Sequence, residues 1–321
     1  MELRHLRQAV ALVDHGTFSK AAVALNMSQS ALTRGIQALE EQVGARLFER
    51  SHAGVEPTSA GLLLLKRARS LLTQVEELKV EMGFSGQGVE RPVRVATGPY
   101  AAPGAVIPAV SRWWGGGVKA RVEIEVTRWS RAIRLVRQGR ADLAVAEDSE
   151  VESQGLEITK LRTHPAFAVV RRGHPLEDSG VLPLDEVFRW PLAFVAGVPV
   201  RLSSRLGKAS GSTPFAPALR CEDLGLVKTL VASSELVALL PLCLVGEELV
   251  AGTLAALPLR ERWMKTSYAV MRLNSQPPAG PVAELVRHII EADRRAAEWS
   301  EELAAGLGSR ADGRLPRRRS G

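Results

Sequence analysis

Apolar residues recur at helical spacing through the first eighty or so positions. Leu3, Leu6, Val10 and Val13 stand at spacings of three, four and three and predict one buried stripe on a first helix. Ser19 is an N-cap candidate for a second, shorter helix, whose Ala21, Ala22 and Leu25 are small enough for close helix crossing. Phe18 plugs this core from the entry side, and Asn26 and Met27 make the turn. After Ser28, a good N-cap, Leu32, Ile36, Leu39 and Val43 fall at spacings of four, three and four on one buried face of a third helix. A strand and the turn-rich residues 51–58, with Gly54 suited to a tight bend, then predict a wing. From Thr58 a long helix places Gly61, Leu64, Ala68, Leu71, Val75, Leu78 and Met82 at alternating spacings of three and four, a coiled-coil seam. Leu63, Leu65 and Leu72 widen it, so that one face meets a partner while the flank returns to the winged part. Residues 83–91 read as a hinge.

Beyond the hinge the pattern changes to strands alternating with helices. A strand over 92–97, a helix over 101–114, a strand over 121–127 with Val122, Ile124 and Val126 facing one way, a helix over 130–138 and a strand within 139–145 predict a parallel, doubly wound sheet. The alternation restarts near His164, with strands at 166–171, 191–195, 218–221, 236–240 and 254–259 and helices at 184–188, 203–209, 224–232 and 242–250. A strand over 267–273 and a helix over 281–303 close the series.

On the face of the third helix opposite its apolar stripe, Gln29, Ser30, Thr33, Arg34 and Gln37 cluster without an acidic residue. Hydrogen-bonding groups so placed suit base edges and phosphates, whereas the blander reading is a helical bundle without a ligand. The residues decide. Phe18, Ala21-Ala22, Ser28-Gln29, Ala38-Leu39-Glu40-Glu41 and Leu47-Phe48-Glu49-Arg50 closely resemble the N-terminal domain of LysR-type transcriptional regulators. Gly139-Arg-Ala-Asp-Leu-Ala is similar to a motif of the same family's effector domain. Two departures stand out: Ser30 where the family commonly has proline, and Gly35 where it has a longer polar residue.

The resemblance implies an N-terminal, all-α winged helix-turn-helix over 1–58 and a linker helix and hinge over 59–90. It implies an α/β effector domain over 91–305, built of two doubly wound lobes like a periplasmic solute-binding protein. Lobe I would take about 91–163 and 267–305, and lobe II about 164–266. Ser28, Gln29, Ser30, Thr33, Arg34, Gln37, Arg50 and the wing-tip His52 are then the expected contacts to double-stranded DNA. The linker would pair with that of a second subunit, within a tetramer, and RNA polymerase is a candidate partner. Ligands in open α/β sheets bind beyond the carboxyl ends of strands. Here those places hold Thr97, Gly98, Pro99 and Tyr100; Arg128, Trp129 and Ser130; Glu147 and Asp148; Ala196, Gly197 and Val198; and Arg201, Leu202 and Ser203. Each has a structural reading of its own, as a cap, a cover or a solvated charge. Together, two guanidinium groups, hydroxyls and an aromatic face suit a small organic anion with an apolar body.

Composition limits the alternatives. The 321 residues are 45% hydrophobic and lack any run of about 18 apolar positions, and the N-terminus is amphipathic, which predicts a cytoplasmic protein. The net charge of +7 does not by itself signal a polyanion binder, because residues 1–60 carry six basic and six acidic side chains. Arg310, Arg314, Arg317, Arg318 and Arg319 against Asp312 place much of the surplus in the tail from 306, predicted disordered. Nucleophile-elbow, zinc-protease, P-loop and dinucleotide motifs are absent, and neither enzyme, cofactor nor metal is expected. His164 and His174 both precede proline and read as turn residues. A solute-transport protein would share the lobes but not residues 17–50. Cys221 and Cys243, 22 positions apart, are expected as buried free thiols. The alternative is a thiol-based redox regulator that uses them.

Overall fold

The computed structural model describes residues 2–51, 54–81, 92–147, 154–195, 200–211, 215–274 and 280–308; at 50, 51, 73, 74, 76–81, 200 and 201 it describes backbone alone. His52, the hinge, Asp148, Gly197 with its two neighbours, and the basic tail from 309 lie outside these residues; Gly306, Leu307 and Gly308, predicted disordered, instead end the last helix. The chain divides into two compact units, Met1–Arg91 with Arg137–Arg140, and Pro92–Val136 with Ala141–Gly321. No described helix is long and apolar enough to cross a membrane.

In the first unit, α1 (Leu3–His15), α2 (Phe18–Ala24) and α3 (Gln29–Val43) pack around Ala9, Leu12, Ala21, Ala22, Leu32, Ile36 and Leu39. The buried stripe of α1 is Leu6, Ala9 and Leu12 with His5. Leu3 is exposed and Val10 and Val13 only flank the core, because small Ala9 lets the helices meet one position away from the expected line. The cap of α2 is Thr17, whose Oγ1 accepts from Lys20 N at 3.3 Å, and Ser19 instead donates to Gln29 Oε1 at 2.9 Å. Asn26, at φ 52°, makes the turn. Ser28 caps α3 as expected, accepting from Ala31 N at 3.2 Å. Val43 is 42% exposed, since the helix stops there at left-handed Gly44 before another turn can cover it.

The wing is β1 (Phe48–Ser51) antiparallel to β2 (Gly54–Pro57). Glu40 Oε1 holds its entry, accepting from Leu47 N at 2.7 Å and Phe48 N at 3.1 Å, which gives the first acid of the α3 motif a structural role. The long helix α4 (Ser59–Glu81) starts under the Thr58 hydroxyl, which accepts from Gly61 N at 3.1 Å. Its first turns pack inward: a Cβ on Gly61 would meet the Leu47 carbonyl at 2.0 Å, and Leu64 and Leu65 join the winged core. Leu64 and Gly61 of the expected partner seam therefore face their own unit, while Leu62, Leu63 and Leu71 are exposed. Where the winged core ends, its grip on the helix ends too.

Among the described residues the second unit holds nine strands, β3 (Val93–Thr97), β4 (Val122–Val126), β5 (Leu143–Glu147), β6 (Leu156–Arg171), β7 (Leu192–Val195), β8 (Leu219–Cys221), β9 (Val237–Pro241), β10 (Leu254–Pro258) and β11 (Lys265–Leu273), in the order β4-β3-β5-β11-β6-β9-β7-β8, with β10 also on β6. Parallel β3 (Val93–Thr97), β4 (Val122–Val126) and β5 (Leu143–Glu147) alternate faces at period two. Val93, Val95, Leu143 and Val145 pack under α5 (Ile107–Gly115) and α11 (Gly280–Gly308). Ala96, Ala144 and Ala146 face α6 (Trp129–Arg137). Val126 does not join Val122 and Ile124 in the core, being the exposed end of an edge strand. The predicted helix at 101–114 begins as a π-helical turn, Ala102–Val106, ahead of α5.

In the other half, β7 (Leu192–Val195), β8 (Leu219–Cys221), β9 (Val237–Pro241) and β10 (Leu254–Pro258) pack against α7 (Leu184–Val187), α8 (Val200–Ser210), α9 (Leu224–Ala232) and α10 (Gly246–Ala251). One long strand joins the halves. β6 (Leu156–Arg171) pairs with β11 (Lys265–Leu273) as far as Pro165, then with β9 and β10 from Ala166 onward. Pro165 has no N–H to continue the first ladder, and the next donor, Ala166 N, goes to Met264 O at 2.9 Å. His164 thus lies inside a strand and is buried, contrary to its turn reading. His174 keeps that reading, its Nδ1 accepting from Leu176 N at 3.1 Å.

Candidate functional site

The outer face of α3 presents Gln29, Ser30, Arg34 and Gln37 to solvent, with Thr33 half-buried. The hydrogen bonds are local. Ser28 and Ser30 hydroxyls lie 3.1 Å apart, Gln29 Oε1 accepts from Ser19, and Thr33 Oγ1 donates to Gln29 O at 2.9 Å. Gln29 is thereby held at a fixed orientation with its amide N–H groups outward, while Thr33 has its hydroxyl hydrogen engaged by the helix. Gly35 is not on this face. A Cβ there would stand 2.0 Å from Gln8 Oε1, so the glycine admits the α1 side chain between the helices. Arg50 belongs to β1 by its backbone.

In the second unit a cavity of about 240 Å³ opens beyond the carboxyl ends of β3, β4, β5 and β7, where topology predicts a ligand site. Gly98, Pro99, Tyr100, Arg128, Trp129, Ser130, Glu147 and Leu202 line it, as read from the sequence. Thr97 does not. It is fully buried, and its hydroxyl reaches the Val145 carbonyl at 3.0 Å, tying β3 to β5 behind the wall. The Arg201 side chain lies outside the described set.

Sequence reasoning missed the rest of the lining: Ala101, then Phe194, Val195, Leu239 and Pro241 on one side, and Ala166, Met264, Lys265, Thr266 and Tyr268 at the crossing of β6 and β11. No local signal marks the strand residues, because they arrive through pairing of distant segments. Tyr268 sits where the β11–β6 register shifts between Ser267 and Ala269, beside Glu147 of β5. Such a bulge re-aims a side chain. The Tyr268 residue is 4% exposed and its hydroxyl has no partner at hydrogen-bonding geometry among the described residues; the Thr266 side chain is what approaches it. Burial pushes its phenol well above the ordinary range, and Tyr100, which has a backbone hydrogen bond with Val195, is shifted the same way for the same reason. Both are neutral hydrogen-bonding phenols at physiological pH. Arg128 is engaged: Nε and Nη2 reach Glu222 Oε1 at 2.8 and 2.5 Å.

Behind this wall lies a polar cluster. His164 Nε2 is 2.9 Å from Asp293 Oδ1, and Asp293 Oδ2 accepts from Arg162 N at 2.7 Å. Cys243 Sγ lies 3.9 Å from His164 Nδ1, and the His164 and Tyr268 rings are 5.6 Å apart. Burial opposes the imidazolium, but the Asp293 and Cys243 hydrogen bonds outweigh it and raise the His164 pKa to about 9. Cys221 is remote from this chemistry by its contacts, with Sγ accepting from Asp223 N at 3.5 Å. Both thiols are free and partly buried.

Residues 3–62 match the family described as bacterial regulatory helix-turn-helix protein, lysR family, and residues 86–294 match the LysR substrate binding domain. The SDS degradation transcriptional activation protein of Pseudomonas sp. (strain ATCC 19151) is 33% identical over 295 residues, covering 90% of this chain and 95% of that one. The regulator GbpR of Azospirillum brasilense is 26% identical, covering 86% and 82%. Full-length OxyR from Pseudomonas aeruginosa shares the fold with a TM-score of 0.70 at 19% identity, covering 93% of this chain and 97% of that one. LysG of Corynebacterium glutamicum, solved with its effector Arg bound, gives 0.67 at 21% identity, covering 92% and 98%. With a winged helix-turn-helix followed by a two-lobed α/β unit, both matched by their own family patterns, this chain belongs to the LysR family of DNA-binding transcription regulators.

Proposed function

We propose that the regulator is controlled by a small amphipathic molecule with an anionic group, taken up in the cleft between the two lobes. The observation that supports this reading best is the Tyr268 hydroxyl, buried in the wall of a cavity of about 240 Å³ with the Thr266 side chain beside it. A phenol hydroxyl can donate one hydrogen bond and accept others, so it can pair with a polar group of a ligand that enters the cavity. Phe194, Leu202, Leu239 and Met264 offer the apolar body of the ligand a surface, and Ser130, Lys265 and Arg128 offer its charge a polar end. The Pseudomonas relative is named for activation of SDS degradation, and SDS is itself an amphiphilic anion. A thermal-shift screen of small organic anions against the full chain tests the idea. Stabilisation by anions, lost in Tyr268→Phe, is expected; stabilisation only by neutral or cationic compounds would replace the ligand class.

On the DNA side, Gln29, Arg34 and Gln37 are assigned to base edges and Ser28, Ser30, Thr33, Arg50 and His52 to the phosphate backbone. The exposed remainder of α4 is assigned to pairing with a second subunit, and the assembly to a tetramer whose arrangement the ligand biases. A second reading, redox control, is favoured by one contact, the 3.9 Å approach of Cys243 Sγ to His164. Operator binding by the Cys221→Ser/Cys243→Ser variant, before and after oxidant, separates the two: an unaltered response of the double variant removes the redox reading.

A further inference from the structure

Arg128 follows β4 and Glu222 follows β8, the outermost strands of the sheet order, yet their side chains meet at the mouth of the cleft. The contact is geometrically incomplete. A guanidinium presents two parallel N–H groups along its Nε–Nη2 edge, which a carboxylate matches with one oxygen each. Here both donors converge on the single oxygen Oε1 of Glu222. The side chains are 46% and 62% exposed, so water and salt screen the pair and exchange of its partner is easy. Two neighbouring charges are committed elsewhere, Arg131 to Glu125 at 2.7 Å and Asp223 to capping α9 by accepting from Leu226 N at 3.0 Å, while Lys265 and Glu147 line the cavity itself. A released Glu222 would still sit beside the N-terminal end of α9, where the helix dipole favours an acid.

We propose that Glu222 is an internal competitor, occupying the edge of Arg128 that would otherwise receive the carboxylate of a ligand in the cleft. This rests on reading the cleft as a ligand site. The ligand class is then a monocarboxylate, which makes the two-pronged contact that Glu222 does not make. Its binding also removes the ion pair between the two lobes, so the same exchange that recognises the ligand unties the cleft at its rim. Glu222 sets the threshold: it penalises every weak carboxylate by the strength of the pair that must be broken.

Calorimetric titration of the full chain with benzoate and hexanoate, and with benzyl alcohol and 1-hexanol as neutral counterparts, tests this at fixed ionic strength. In Glu222→Gln the carboxylates should bind on the order of fivefold more tightly, the size an exposed ion pair supports, and the alcohols should be unaffected. In Arg128→Gln, carboxylate binding should be lost. Hydrogen exchange at the start of α6 should rise in Glu222→Gln and rise on adding benzoate to the wild type. Equal carboxylate affinity in wild type and Glu222→Gln overturns the competitor. Alcohols binding where carboxylates do not overturns the carboxylate site but leaves the cleft as a ligand site. Binding of none of the four to any variant overturns the proposal, while the anion screen above still decides the cleft on its own.

Discussion

His164 on the crossing strand and Asp293 on the last helix are 129 positions apart, and their side chains meet at 2.9 Å with both residues nearly excluded from solvent. The pair ties α11 to the strand shared by both lobes. The pKa of His164 is raised from 6.5 to about 9, so the stability it adds is fully present below about pH 6.5 and is lost as pH rises through 9. The linkage is worth roughly 3 kcal/mol at most. The melting temperature of the wild type should fall between pH 6.5 and 9, and Asp293→Asn should flatten that fall while lowering stability throughout. A variant that retains the wild-type slope would place the titration elsewhere.

Tyr268→Phe removes a buried hydroxyl that has the Thr266 side chain beside it and leaves the ring packing in place. A single neutral hydrogen bond is worth about 1 kcal/mol net, so the unliganded variant should melt close to the wild-type temperature. Its ligand-induced shift should shrink. A clear loss of stability without ligand would mean that the hydroxyl is satisfied in solution.

Gln29 is positioned by Ser19, whereas the Thr33 hydroxyl is turned to the Gln29 carbonyl. Gln29→Ala should therefore cost roughly 1–3 kcal/mol of operator preference, the worth of a good base contact. Thr33→Ala, as a backbone contact, should cost less and equally on operator and random DNA, whereas Gln29→Ala should leave affinity for random DNA unchanged. Equal losses on both DNAs in a binding titration would make Gln29 a backbone contact.

Leu71 is 41% exposed on α4 beyond the turns that the winged core holds. If it faces a second subunit, Leu71→Glu buries an unpaired charge there and should dissociate the assembly, with loss of operator avidity and an intact effector unit. Sedimentation reads the first effect and operator titration the second. An unchanged oligomer would remove the linker from the interface.

Sequence periodicity by itself determined the elements and their class. The Ser28 cap, the Leu32-Ile36-Leu39 stripe and the strand–helix alternation after residue 92 are local signals, and local hydrogen bonding and amphipathicity suffice to fix them. It also named most of one cleft wall, since loops at strand ends carry Tyr100, Arg128, Ser130 and Glu147 in any fold of this class. It failed where partners are distant. Two local misses were of boundaries: the cap of the second helix is Thr17, two positions before Ser19, and Val43 had the right spacing on a helix that ended too soon. Only the tertiary structure decided that β6 runs through both lobes, that Tyr268 turns into the cavity, that His164 finds Asp293 and that Arg128 is already held by Glu222. Each of these depends on non-local pairing, whose register is chosen by the whole sheet and not by the few residues that come to touch.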